Sequence, residues 1–288
     1  MAPRSSRGHS PANASVDGAP LGRSPANARF DFLPRPVRKG EGTADRRGEH
    51  LDRPAAGLVL LNGGDEFHAG NEPQDRAFAA VAGRGPAYVL TTAAGRQGPD
   101  RAAANAVAWF GALGLGLSEL RVRSRTDAQS TEVATLAAGA GGFYLVGGDP
   151  GLVARTLAGS RVWAAMLGAW ADGAAMAGSS AGAMALCEKT LVMDRWPHHE
   201  QRRAVAALGL VPRAVVIPHF GRFGARWTAS DLDPATVVVG LDERTAAVWD
   251  GGAWRAEGAG GVTVGAGPDA RRYAEGAAIE GIPAPTPA

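Results

Sequence analysis

The chain has 288 residues, 45% of them hydrophobic, enough apolar surface for one sizeable core and too little length for two large domains. Its 41 glycines point to many tight turns, and the one cysteine, Cys187, excludes an intramolecular disulfide framework and a zinc ribbon. The pI near 9.0 raises nucleic-acid binding, but residues 1–53 alone carry +4, leaving −2 on residues 54–288, so the folded part has no basic footprint.

The opening stretch, Met1 to Arg7, never reaches an apolar signal region, and no apolar run approaches the roughly 20 residues of a membrane helix. The expectation is a cytoplasmic protein with no membrane or nucleic-acid partner. Residues 1–53 are rich in Pro, Arg and Ser, and Ser10-Pro-Ala-Asn-Ala14 recurs as Ser24-Pro-Ala-Asn-Ala28. Such a segment buries too little to offset its ordering entropy and reads as a disordered tail. Residues 283–288 read the same way, leaving 54–282 as a single α/β domain.

From Gly57 the pattern changes. Gly57 to Leu61 is a buried strand ending in the turn Asn62-Gly-Gly-Asp65. A helix follows from Glu72 to about Val81, with Pro73 in its first turn. Ala87–Thr92 reads as a strand, Asp100–Leu113 as a helix and Glu119–Arg123 as a third strand. A helix over Thr131–Ala138 leads to the strand Gly142–Val146, which ends in Gly147-Gly-Asp149. A helix around Trp163–Ala171 precedes the strand Ala174–Gly178. Apolar strands alternating with helices imply a mostly parallel central sheet covered on both faces, a three-layer sandwich with ligands beyond the carboxyl ends of its strands.

Gly178-Ser-Ser-Ala-Gly182 lies between a strand and a predicted helix, Ala181 to Glu188. This is the context of a nucleophile elbow, in which small flanking residues tolerate a strained turn that lifts a serine Oγ above the sheet. The pattern makes Ser180 the nucleophile rather than Ser179, with an oxyanion favoured by the N–H groups that follow. Cys187, placed inside that helix, reads as an inert buried thiol. His219 follows another strand, Ala214–Pro218, and is the candidate base. His198 and His199 lie in a charged stretch read as a loop, with no zinc spacing. Two acids could orient the imidazole: Glu243, after the strand Thr236–Asp242, is favoured over Asp194.

These motifs together resemble the cyanophycinase and aspartyl dipeptidase family of serine peptidases, which share the class I glutamine amidotransferase-like fold. The resemblance spans about Gly57 to Asp250. It rests on Asn62-Gly-Gly-Asp-Glu66, Leu145-Val-Gly-Gly-Asp149, Gly178-Ser-Ser-Ala-Gly-Ala183, Pro218-His-Phe220 and Gly240-Leu-Asp-Glu-Arg-Thr-Ala246. It implies that Ser180 attacks the scissile carbonyl, that His219 is general base, and that Gly148 and Ala181 supply oxyanion N–H groups. Glu243 matches the acid of the cyanophycinase-like members, whereas the dipeptidase branch would point to Asp194. Pro150 replaces the glutamine usual in cyanophycinases, so cleavage of cyanophycin itself is not expected. The family favours substrates with an acidic aspartyl part. Arg222 and Arg226, ahead of Arg96 and Arg125, are the expected substrate cations, with Asp149 also assigned to substrate.

The leading function is therefore a serine-type hydrolase of small peptides acting through an acyl-enzyme, with no metal or organic cofactor. Its expected partners are a peptide substrate and, at most, a second copy of the chain. A glutamine amidotransferase would need cysteine in the elbow and glutamate where Gly221 stands. An α/β-hydrolase esterase would need more chain than the 39 positions that separate Ser180 from His219. A diverged non-catalytic small-molecule binding module of the same fold is the non-enzymatic alternative.

Overall fold

Apolar residues on both sides of a strand need cover on both faces, and the first core strand of the chain shows how this is met. The computed structural model describes residues 56–194 and 199–287, together with the backbone of two short strands, Ala28–Arg29 and Arg35–Pro36. In β1 (Val59–Asn62) the side chains alternate between two buried clusters: Val59 and Leu61 belong to one, Leu60 to the other. The same division splits β4 (Gly142–Leu145), with Phe143 and Leu145 on one face and Tyr144 on the other, and β5 (Ala175–Ser179), with Met176 opposite Ala175 and Ala177. With β2 (Ala87–Leu90) and β3 (Leu117–Glu119) these form five parallel strands in the order β1-β5-β4-β2-β3.

One face is covered by α1 (Glu72–Ala82) through Phe78 and by α2 (Pro99–Ala112) through Ala106 and Phe110. After the short α3 (Arg125–Ala128), the other face receives α4 (Thr131–Ala138), α5 (Pro150–Leu157), α6 (Arg161–Ala171) and α7 (Ala181–Leu186). The α6 pattern is the clearest. Val162, Trp163, Met166, Leu167 and Trp170 share one face at helical spacing, and Ser160 caps the start by accepting the Trp163 N–H at 3.1 Å. Trp170 Nε1 donates to the Gly57 carbonyl at 2.8 Å, fixing α6 to the entry of β1. The expected three-layer α/β architecture is present.

The chain from Lys189 onward departs from a single sheet. A ribbon of β6 (Lys189–Met193), β7 (Gln201–Ala206) and β9 (Thr228–Ser230) comes first, with Ala28–Arg29 pairing at its edge. A second sheet runs β8 (Ala214–Ile217), β10 (Val237–Leu241), β13 (Gly261–Val264) and β14 (Arg271–Ala274), with Arg35–Pro36 beside β14. The strands before His219 and Glu243, read from sequence as part of the central sheet, belong to this second sheet. β11 (Thr245–Trp249), β12 (Trp254–Gly258) and β15 (Ala278–Ile279) return to the central sheet, antiparallel, beside β1.

The expected tail 1–53 lies outside the described residues apart from those two short strands. The C-terminal stretch 283–287, expected to be unstructured, is instead pinned. Trp254 Nε1 donates to the Pro283 carbonyl at 3.0 Å, the Thr286 N–H donates to Leu210 at 2.9 Å, and Pro285 is buried. Among the described residues no helix is long and apolar enough to cross a membrane, and no cluster of three or more His, Cys, Asp or Glu could hold a metal ion.

Candidate active site

Parallel strands in matched register bring their carboxyl ends to one edge. Asn62 pairs with Ser179, and Leu145 with Gly178, so the turns after β1, β4 and β5 meet. Ser180 stands at that junction with φ 48° and ψ −110°, a conformation ordinary L-residues avoid. The turn is held from both sides: the Ser180 N–H donates to the Asn62 carbonyl at 2.9 Å, and the Ser180 carbonyl accepts from Met184 at 3.0 Å. Gly182 must be glycine here, since a Cβ would lie 2.2 Å from the Leu145 carbonyl oxygen.

The second sheet delivers the histidine. The His219 N–H donates to the Gly63 carbonyl at 2.8 Å, the Phe220 N–H to Leu241 at 2.9 Å, and the Arg244 N–H to Gly64 at 2.9 Å. Gly63 and Gly64 thus form the seam between the two sheets, and Glu243 sits where the chain crosses from β10 back to β11. His219 also has a positive φ, 49°, and its ring stacks on Phe223 at 5.0 Å. Asp242 secures the crossing, accepting the Gly221 N–H at 2.8 Å and the Gly261 N–H at 3.0 Å and pairing with Arg272.

Ser180 Oγ lies 3.2 Å from His219 Nε2, and His219 Nδ1 lies 2.8 Å from Glu243 Oε1. Arg222 Nη1 donates to the same carboxylate oxygen at 3.1 Å. Burial alone would raise the Glu243 pKa, but the hydrogen bonds from His219 and Arg222 outweigh it and hold the group below its ordinary value. Asp194, the alternative acid, lies 3.8 Å from Arg203 instead. Among the described residues neither the Gly148 N–H nor the Ala181 N–H has an acceptor, while the Gly147 N–H donates to Glu66 Oε1 at 2.9 Å.

The other expected substrate residues are placed differently. Asp149 Oδ1 caps α5 by accepting the Leu152 N–H at 3.1 Å, and Pro150 occupies the first turn, where a missing N–H leaves nothing unpaired. Arg226 pairs with Glu200 at 3.0 Å, and Arg125 donates to the carbonyls of Thr156 and Ala158 behind α5. Cys187 follows the last residue of α7 rather than lying within it, and burial pushes its thiol up to about 12. His198 lies outside the described residues.

A cleft of about 290 Å³ opens over Ser180 and His219, walled by Glu66, Gln97, Arg101, Asn105 and Gly148. Sequence reasoning passed over Arg101 and Asn105, which lie on the first turns of α2, a helix the chain enters through Gly98 at φ 90°. A larger hollow of about 630 Å³ lies at the opposite ends of the strands, near Gly57, Gly85, Gly141 and Ala174, far from these groups.

Residues 58–256 match the sequence model of Peptidase family S51. Cyanophycinases of Trichormus variabilis and of a Nostoc species are each 26% identical over 215 residues, 72% of this chain and 72% of theirs. The crystal structure of a peptidase from an acI-B1 actinobacterium superposes with a TM-score of 0.67 at 27% identity, covering 78% of this chain and 96% of that one.

Proposed function

The chain belongs to peptidase family S51 and is a serine-type peptidase-like hydrolase; on that premise we propose that it cleaves short, acid-bearing peptides through an acyl-enzyme on Ser180. The observation that carries the reading is the unbroken sequence of contacts from Ser180 Oγ through His219 to Glu243, 3.2 and 2.8 Å long, beside two N–H groups that have no acceptor among the described residues.

His219 Nε2 takes the Ser180 proton as Oγ attacks the scissile carbonyl. Glu243 accepts the Nδ1–H, which fixes the tautomer and offsets the positive charge that develops on the ring. The N–H groups of Gly148 and Ala181 face the oxygen on which negative charge develops. His219 then returns its proton to the leaving amine, and water repeats the sequence to release the acid. No step calls on a metal or organic cofactor.

The cleft supports a small substrate. At about 290 Å³ it falls just below the roughly 300–1,000 Å³ usual for small-molecule sites. With Arg222 committed to Glu243 and Arg226 to Glu200, Arg101 becomes the cation for an acidic substrate group, flanked by Gln97 and Asn105. Pro150 sits in the helix start and offers no side-chain amide, which argues against cyanophycin as the polymer cleaved. Digestion of a mixed dipeptide and short-peptide library, read by mass spectrometry beside Ser180→Ala, tests the proposal. Cleavage lost in the variant supports it, and products that persist in Ser180→Ala would remove Ser180 from the chemistry.

A further inference from the structure

Both arms of the oxyanion site converge on one carboxylate. Glu66 Oε1 accepts the Gly147 N–H at 2.9 Å, and Oε2 accepts the Ser179 hydroxyl at 2.9 Å. The first contact holds the turn after β4, which carries the Gly148 N–H. The second holds the residue preceding Ser180 and Ala181. Glu66 itself comes from a third turn, after β1, so it ties together three loops that the sheet only brings near one another.

The backbone around Glu66 is fixed at some cost. Asp65 and Phe67, on either side, have φ of 58° and 62°, a region worth roughly 1–3 kcal/mol of strain for a residue other than glycine. Each is anchored by its own side chain. Asp65 Oδ2 accepts from Arg244 Nε at 2.6 Å, and the Phe67 ring packs 5.4 Å from Tyr144 and 6.2 Å from Phe110. A loop with no task beyond connection has no use for two strained residues pinned on either side of a carboxylate.

The Gly147–Gly148 turn explains the need. Gly148 has φ 139°, and a Cβ there would lie 2.2 Å from the Ala93 carbonyl oxygen, which accepts the Asp149 N–H at 2.9 Å and so holds the far side of the turn. On the near side the Gly147 N–H is directed into Glu66, while the next N–H, that of Gly148, has no acceptor among the described residues and lines the same cleft as Ser180. We propose that Glu66 is a positioning residue that aligns the Gly148 N–H with the elbow, so that its two committed carboxylate oxygens stabilise the oxyanion through the backbone. The proposal rests on the serine-hydrolase reading of the site and deepens it.

A fluorophosphonate probe tests it apart from any substrate. Ser180 Oγ bonds to phosphorus, the P–F bond breaks, fluoride leaves and His219 takes the hydroxyl proton, while the phosphoryl oxygen occupies the oxyanion position. Glu66→Ala should slow this labelling about 10- to 100-fold, below the loss of roughly 10²–10³ for deleting an oxyanion donor outright. With a cleaved peptide the same variant should lose kcat with KM nearly unchanged. Glu66→Gln, which keeps an acceptor for Gly147, should restore labelling to within about tenfold of the wild type. Should Glu66→Ala fail to fold, Ser179→Ala, which removes one arm only, carries the test: it should slow labelling with KM unchanged. Wild-type labelling rates in Glu66→Ala, or in Ser179→Ala where Glu66→Ala does not fold, or a loss confined to KM, would overturn the proposal. A wild type that is not labelled at Ser180 would instead overturn the hydrolase reading beneath it.

Discussion

Glu243→Gln separates the charge of the acid from its hydrogen bonds. His219 Nδ1 and Arg222 Nη1 converge on a single atom, Oε1, at 2.8 and 3.1 Å. Two donors aimed at one position select the amide oxygen of glutamine there, so the imidazole keeps its orientation and tautomer and loses only the facing charge. Where an amide instead imposes the wrong tautomer, turnover falls about 10⁴-fold. Two unit charges about 4 Å apart interact by about 4 kcal/mol at an effective dielectric near 20. Here Arg222 cancels part of that, and the side chains are 21% and 25% exposed, which screens it further. The expected loss in kcat/KM is therefore about 10²- to 10³-fold. In Glu243→Gln/Arg222→Ala the amide loses its second donor and can turn, and the loss should grow toward about 10⁴-fold. Steady-state kinetics on a cleaved peptide measures all three quantities, with Asp194→Asn, an exposed residue 3.8 Å from Arg203, staying within about twofold of the wild type. A single-variant loss below tenfold, a double variant no slower than the single, or an equal loss in Asp194→Asn would refute the reasoning.

Three further outcomes follow from the geometry. Gly64→Ala puts a Cβ 2.3 Å from His219 Cε1 at a φ of 111°, so turnover should drop at least about 100-fold while the melting temperature falls only by the strain of one residue; undiminished kcat would show that the ring is not held where it stands. Burial pushes Asp75 up to about 7, against the N–H that Trp109 donates at 2.8 Å. Folded Asp75 therefore keeps a proton that the unfolded chain loses above about pH 4, so this contribution to stability fades as pH rises toward 7. Asp75→Asn should gain stability relative to the wild type in urea melts at pH 8 compared with pH 5, and a pH-independent difference would contradict the assignment. Cys187, with its thiol raised to about 12, should resist a disulfide reagent in the native protein and react only on unfolding, and fast native labelling would show the residue to be accessible.

What could be read in advance had strong local causes. Runs such as Gly57–Leu61 and Gly142–Val146 are apolar throughout and end in Gly-Gly turns, so the parallel strands and the turns carrying Ser180 and Gly148 were visible. The second sheet was not, because Ala214–Ile217 and Val237–Leu241 are as apolar as central strands and periodicity does not say which sheet a strand joins. Gln201–Ala206 opens on Gln-Arg-Arg with no apolar alternation, and Trp254–Gly258 alternates over only five positions ending in glycine, too short to register as a strand. The helix at Pro150 was hidden because Asp-Pro-Gly reads as a turn, although aspartate at the cap and proline in the first turn is also a helix start. Among the cations, closeness in sequence to His219 favoured Arg222 and Arg226. Arg101, 118 positions away in sequence, lines the cleft from α2, a placement that residue spacing cannot reveal.

Because Ser180 rides on the parallel sheet and His219 on the second, with Gly63 and Gly64 as their joint, turnover acts as a gauge of how the two sheets are aligned. The two sheets share one buried cluster, in which Leu61 and Met176 of the first lie with Val216 and Val239 of the second. A sideways slip of a fraction of an ångström along the joint would leave helix and strand content unchanged and still pull the imidazole off the hydroxyl. On warming, enzymatic activity should thus fade ahead of the far-ultraviolet signal, marking a loosening of the joint that precedes collapse of the shared core.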